Sequence, residues 1–145
     1  MTDLELHHLG VAVRDVSTAI AAYTQMFGYQ LLHGPVDDYG QRVTVAFVGA
    51  TQGGTLQVEL VAPLAGAGRS PVDRILSGSN SAYHLCYQVS ELEQSLQHFH
   101  QAGCHSIGKP SPAVAFGGRR IAWLLTPTNH LLELLERYPT SGRGA

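Results

Sequence analysis

The chain has 145 residues, 44% of them hydrophobic and only 14% charged, with 16 glycines; a chain this long buries roughly 70% of its unfolded surface, which excludes disorder and points to one compact domain. Nine basic and eleven acidic residues leave a net charge of −2, and with a single lysine, Lys109, and no basic cluster, nucleic acid is not an expected partner. No apolar run reaches the ~20 residues of a membrane helix, Met1 to Glu5 lack the zones of a signal peptide, and two cysteines, Cys86 and Cys104, are too few for a disulfide framework or a cysteine metal site, so a reduced, cytoplasmic protein is expected.

Leu6 to Val13 reads as a strand. Val16, Ile20, Tyr23 and Phe27 then recur at helical spacing, with Asp15 or Ser17 as cap and Gly28 as stop. Short β-rich pieces follow at Gln30 to His33, Gln41 to Val48 and Thr55 to Val61, with Gln52-Gly-Gly54 as a hairpin turn. Asp37 and Asp38 fall in a turn-prone loop, where they are expected to be solvated. Pro63 to Gly68 is a loop, and Ser70 with Pro71 caps a short helix through Leu76. In the second half, Ser90 and Glu93 form a capping box ahead of Leu92, Leu96 and Phe99, with Gly103 as stop. Strand signals return at Ser106 to Gly108, Arg119 to Leu125 and Leu131 to Glu136, and Phe116-Gly-Gly118 marks a turn. The polar tail from Tyr138 to Ala145 is expected to fray.

The chain repeats itself. His8-Leu-Gly-Val-Ala-Val13 lies over His84-Leu-Cys-Tyr-Gln-Val89 at an offset of 76 residues, which holds from Ile20 and Tyr23 to Leu96 and Phe99. Val45-Ala-Phe-Val48 meets Ile121-Ala-Trp-Leu124 at the same offset, and Val58-Glu-Leu60 meets Leu132-Glu-Leu134 at 74. Each half is therefore a βαβββ module. The predicted domain covers residues 1–145, with module 1 at about 5–63, a linker helix at 69–78, module 2 at about 82–137 and a flexible tail at 138–145.

Strand alternation puts His8, Gly10 and Ala12 on one face and Leu9, Val11 and Val13 under the helix. The second module repeats this with His84, Cys86 and Gln88 opposite Leu85, Tyr87 and Val89. On the last strand of each module, apolar neighbours flank Glu59 and Glu133, so each glutamate must face the histidine side. If the sheets curve towards each other, two imidazoles and two carboxylates converge. That donor set suits a divalent Mn, Co, Ni, Fe or Zn ion with open positions for substrate oxygens, and a dication offsets the cost of burying two carboxylates.

These residues resemble the vicinal oxygen chelate superfamily, whose members include glyoxalase I, extradiol dioxygenases, bleomycin and fosfomycin resistance proteins and methylmalonyl-CoA epimerase. The resemblance runs from His8 to Glu136 and is nearest the epimerase. His8-Leu-Gly-Val-Ala-Val is similar to an H-I-G-I-A-V opening, Val58-Glu-Leu-Val-Ala-Pro-Leu64 to V-E-L-L-x-P-L, and Ser70-Pro-Val72 to S-P-I. Tyr83-His-Leu-Cys-Tyr-Gln-Val89 is similar to H-H-I-A-F-E-V, Gly117-Gly-Arg-Arg-Ile-Ala-Trp123 to G-G-K-x-V-A-F, and Leu132-Glu-Leu134 to I-E-L. It implies an α+β fold of two tandem βαβββ modules in an incomplete β-barrel, metal ligands His8, Glu59, His84 and Glu133, and a homodimer. The implied activity is isomerase or lyase chemistry on a small carbonyl or thioester compound, with Glu133, or else Glu59, taking the proton next to the carbonyl. One stretch departs from the family. Thr126-Pro-Thr-Asn-His130 replaces a longer H-P-K-x-x-x-G-V that helps hold CoA phosphates, while Arg119 and Arg120 offer another place for an acidic group.

Gln57 shares the face of Glu59 and is the alternative ligand, while His7 points to the opposite face from His8. Glu136 has the other parity from Glu133 and is expected to be exposed, and Cys86 reads as a small core residue. His98, His100 and His105 read as helix surface and loop. Two further functions fit the same residues. His8, His84 and Glu133 alone would make an Fe(II) face for an extradiol-type dioxygenase, and a resistance-type protein would bind a small molecule without turnover.

Overall fold

The structure is a computed structural model that describes residues 3–51, 56–78, 82–127 and 130–138. The Gln52-Gly-Gly54 turn, Thr128, Asn129 and the tail beyond Tyr138 lie outside the described residues. The elements run β1 (Glu5–Ala12), α1 (Val16–Phe27), β2 (Gln30–Asp38), β3 (Val43–Gly49), β4 (Gln57–Pro63), α2 (Asp73–Leu76), β5 (Ala82–Val89), α3 (Leu92–Gln101), β6 (His105–Pro112), β7 (Arg120–Leu125) and β8 (Leu131–Glu136). The chain divides into two compact units: His8–Tyr83, and Met1–His7 together with His84–Ala145. We call them the N-terminal and C-terminal units. The first strand thus gives its opening residues to the second half.

In the N-terminal unit the strands lie in the order β2-β3-β4-β1. β1 runs parallel to β4, and the other neighbours are antiparallel. In the C-terminal unit the order is β5-β8-β7-β6, again with one parallel pair, β5 and β8. Neither set of four closes on itself, so the α+β class and the doubled βαβββ order stand.

The helix-facing parity is as expected. Val11, Val48, Val58 and Leu60 are buried, and Leu9, Val13, Ile20 and Tyr23 pack on them. In the C-terminal unit Val89, Leu124, Leu132 and Leu134 are buried against Leu92, with Tyr87, Leu96 and Phe99 packed alongside. Asp15, not Ser17, caps α1: the amide and hydroxyl of Thr18 donate to its carboxylate at 2.8 and 2.7 Å. Gly28 ends the helix at φ 70, a left-handed position that costs a side chain steric energy.

Several local expectations are corrected. Ser90 does not cap α3. Its hydroxyl donates to Asp3, Glu91 stands at the N-cap and makes no side-chain capping bond, and Glu93 turns to Arg120. The linker helix is only α2, four residues long, and the Asp73 carboxylate at its start accepts from the Ser70 amide at 2.8 Å. Asp38 ends β2 buried, its carboxylate accepting from the amide and side chain of Gln41 at 3.0 and 2.9 Å. β2 and β6 also run longer than their short apolar signals, reaching Asp38 and Pro112.

Glu136 is the sharpest correction, being fully buried rather than exposed. Its parity puts it on the α3 side beside Leu132 and Leu134, and the neighbouring strand supplies its partner. The Arg120 amide donates to it at 2.7 Å, and the Arg120 guanidinium bridges it to Glu93, 2.7 Å away on the first turn of α3. The hydrogen bonds it donates to Glu93 and then to Glu136 raise the guanidinium's pKa above its already high value.

Among the described residues no helix is long and apolar enough to cross a membrane. Removing the carboxylate in Glu136→Ala takes the acceptor from the Arg120 amide and leaves the guanidinium with Glu93 alone, and is expected to cost roughly 2 kcal/mol in denaturant unfolding. The Thr18 bonds hold the Asp15 carboxyl below the usual aspartate value, so its contribution is complete above that value and fades as pH falls through the lowered one. Asp15→Ala is expected to abolish this acid dependence and to speed amide exchange at Thr18.

Candidate metal half-sites

His8 lies in β1 at the Cα register position of Gln57, and Gly10 lies opposite Glu59 in β4. Because β1 and β4 are parallel, residues of one parity on both strands share a face. The His8 imidazole is fully buried, and its Nε2 is 3.3 Å from Oε1 of Glu59, itself 7% exposed. Phe47, the cross-strand partner of Glu59 on β3, sets its ring edge against the imidazole with centroids 5.4 Å apart. Such an edge contact contributes about 1 kcal/mol and fixes the ring's orientation.

The C-terminal unit repeats the arrangement. Cys86 on β5 lies opposite Glu133 on β8. The buried His84 Nε2 is 3.3 Å from Oε1 of Glu133, and Trp123, the cross-strand partner of Glu133, sets its ring edge against His84 at 5.0 Å. Each unit thus carries a His–Glu–aromatic group at matched positions. The two aromatic residues were not singled out from sequence, although the 76-residue offset that pairs Phe47 with Trp123 was the signal for them.

The donor spacing fits an ion. Imidazole nitrogen and carboxylate oxygen each sit about 2.1 Å from a zinc-sized cation, so adjacent ligands lie roughly 3.0 Å apart at a right angle and roughly 3.4 Å apart at a tetrahedral one. The observed 3.3 Å lies within that interval in both units. Retention as salt bridges alone is a weaker account, because replacing a buried ion pair with apolar residues is often neutral or stabilising.

The remaining candidates separate clearly. Gln57 is half-buried, beside Glu59 on the same face. His7 packs edge-on against Phe116 at 5.4 Å. Cys86 is buried among Ala113, Ile121 and Leu135, and Cys104 has its thiol pKa raised by burial, so both serve as apolar core. His98, His100 and His105 lie along and just beyond α3. Arg120 is engaged by two carboxylates, whereas Arg119 donates to the carbonyls of Phe116 and Arg137 and lies over the Phe116 ring at 5.6 Å. Burial lowers its pKa from the usual arginine value.

Comparison with known proteins agrees with this architecture. Residues 7–123 match the sequence pattern of the Glyoxalase/Bleomycin resistance protein/Dioxygenase superfamily. An ethylmalonyl-CoA/methylmalonyl-CoA epimerase of Cereibacter sphaeroides is 30% identical over 121 residues, 82% of this chain and 86% of that protein. A solved structure of methylmalonyl-CoA epimerase from Mycobacterium tuberculosis is 26% identical with a TM-score of 0.78, covering 97% of this chain and 94% of that one. A hypothetical protein from Bacillus halodurans is also 26% identical, with a TM-score of 0.79, covering 94% and 96%. By its doubled βαβββ order and by the span of these matches, the chain belongs to the glyoxalase/bleomycin resistance protein/dioxygenase superfamily.

Proposed function

We propose that the His8–Glu59 and His84–Glu133 pairs together hold one divalent ion, and that the protein is an epimerase acting by proton transfer next to the carbonyl of a small malonyl-type thioester. The observation that carries this reading is the recurrence of one buried imidazole–carboxylate pair, at the same 3.3 Å spacing, in each half of a duplicated scaffold. The named activity of the Cereibacter sphaeroides relative supports the reaction and the substrate class. A homodimer belongs to the same reading.

When bound, a divalent ion supplies Lewis-acid polarisation of a substrate carbonyl oxygen and so makes the neighbouring C–H bond more acidic. The chain supplies the rest. Glu133 takes the proton from that carbon, Glu59 being the alternative. His8 and His84, held by the edges of Phe47 and Trp123, keep the donor atoms in place. The two aromatic rings pack against the buried imidazoles and limit the orientations they can take.

Metal analysis of the native protein is expected to find one divalent ion per chain. His8→Ala and His84→Ala should each weaken Co²⁺ or Mn²⁺ binding by more than about 100-fold, beyond the usual effect of losing an outer-sphere partner. Undiminished binding in the double variant would overturn the site. Loss of metal in Gln57→Ala but not Glu59→Ala would transfer the ligand role to the glutamine.

In D₂O the metal-loaded protein is expected to exchange the α-proton of methylmalonyl-CoA, and Glu133→Gln to slow that exchange about 10²–10⁴-fold, the usual size of an acid–base contribution. Iron in the native protein with oxygen consumption on a catechol would place it instead with the dioxygenases.

A further inference from the structure

Because the proposed ligands are duplicated, the residues that differ between the units carry the information about chemistry. On the ligand-bearing face of the N-terminal unit, cross-strand pairing gives the row His33, Phe47, Glu59. The corresponding row in the C-terminal unit is Ile107, Trp123, Glu133. Aromatic and glutamate recur, but an imidazole stands in one row where a hydrocarbon stands in the other.

His33 has the placement of a working group. Its ring lies 6.0 Å from that of Phe47, whose edge touches His8. Two strand spacings of about 4.8 Å put its backbone roughly 10 Å from that of Glu59, on the same face of the sheet. It is exposed, and no described residue hydrogen-bonds its ring.

β2 also breaks its pairing register on both sides of His33, between Leu31 and His33 and between His33 and Val36, and such irregularities re-aim a side chain. Gly34 permits the close approach of β2 to β3 here, since a Cβ there would lie 2.8 Å from the Val45 carbonyl oxygen. Elsewhere on this face, Asp38 lies at the far end of β2 and is engaged by Gln41, while Val45, Phe47 and Val61 do not ionise.

Resting on the epimerase reading, we propose that His33 is a second acid–base residue. Inversion requires the proton to leave one face of the carbon and a proton to return on the other, which one carboxylate cannot do alone. The carboxylate base breaks the C–H bond and keeps the proton, while the bond's electron pair passes into the carbonyl as an enolate. The His33 imidazolium then gives an N–H proton to the same carbon. The enolate pair forms the new C–H bond, and His33 is left neutral. Exchange with water returns a proton to His33 and removes one from the carboxylate.

The test follows (2R)- and (2S)-methylmalonyl-CoA in D₂O with the metal-loaded protein and with His33→Gln and His33→Ala, metal content and melting being measured in parallel. The wild type is expected to incorporate deuterium and invert the centre. His33→Gln should keep incorporation into one enantiomer within about threefold while inversion falls at least 100-fold, a split that loss of packing would not produce. Equal loss of both, or loss of neither, would overturn the role of His33 alone. No incorporation by the wild type would overturn the epimerase reading, and His33's role with it.

Discussion

A buried imidazole and a buried carboxylate side by side are expensive, and the rest of each unit accommodates that cost. His8, Glu59, His84 and Glu133 are each less than 10% exposed, in a protein with few charged residues to spare. The pair exists because parallel strands bring the same parity to the same face, in β1 with β4 and in β5 with β8. It is held because an aromatic side chain from the next strand closes over the imidazole. The apolar residues between these positions face the helix, so the packing that stabilises each unit also directs the polar groups away from it.

This explains which features were legible from sequence. Parity is local and periodic, so the placement of His8, Glu59, His84 and Glu133 on common faces could be read from neighbouring hydrophobic residues alone. The α1 boundaries could be read too, because Asp15 and Gly28 act within one helical turn. The repeat strengthened each reading by stating it twice.

The largest misreadings, at Glu136, Ser90 and Glu93, involve a partner distant in the chain. Glu136 has an exposed residue's chemistry but a buried residue's position, and only the pairing of β7 with β8 brings Arg120 to it. Ser90 and Glu93 have capping-box spacing, yet each prefers a partner from elsewhere, Asp3 and Arg120 respectively. Asp38 looked solvated because its loop signal was strong, whereas β2 continues through it to pair with Val43. Local propensity fails where a charged or hydroxyl group obtains a stronger bond through tertiary structure than its own segment offers.

Arg119 and Arg120 show how one position in a strand separates two otherwise similar charges. Arg120 begins β7 and points to the α3 side, where Glu136 and Glu93 neutralise it. Arg119, one residue earlier, has the opposite parity and reaches Gln88, which shares the face of His84. Its other partners are neutral carbonyls and an aromatic ring, so its charge is solvated by dipoles and no described carboxylate forms an ion pair with it. Of the two arginines, Arg119 is therefore the one that pairs with dipoles and not with a described carboxylate, and this difference follows from the same two-residue period that placed the glutamates.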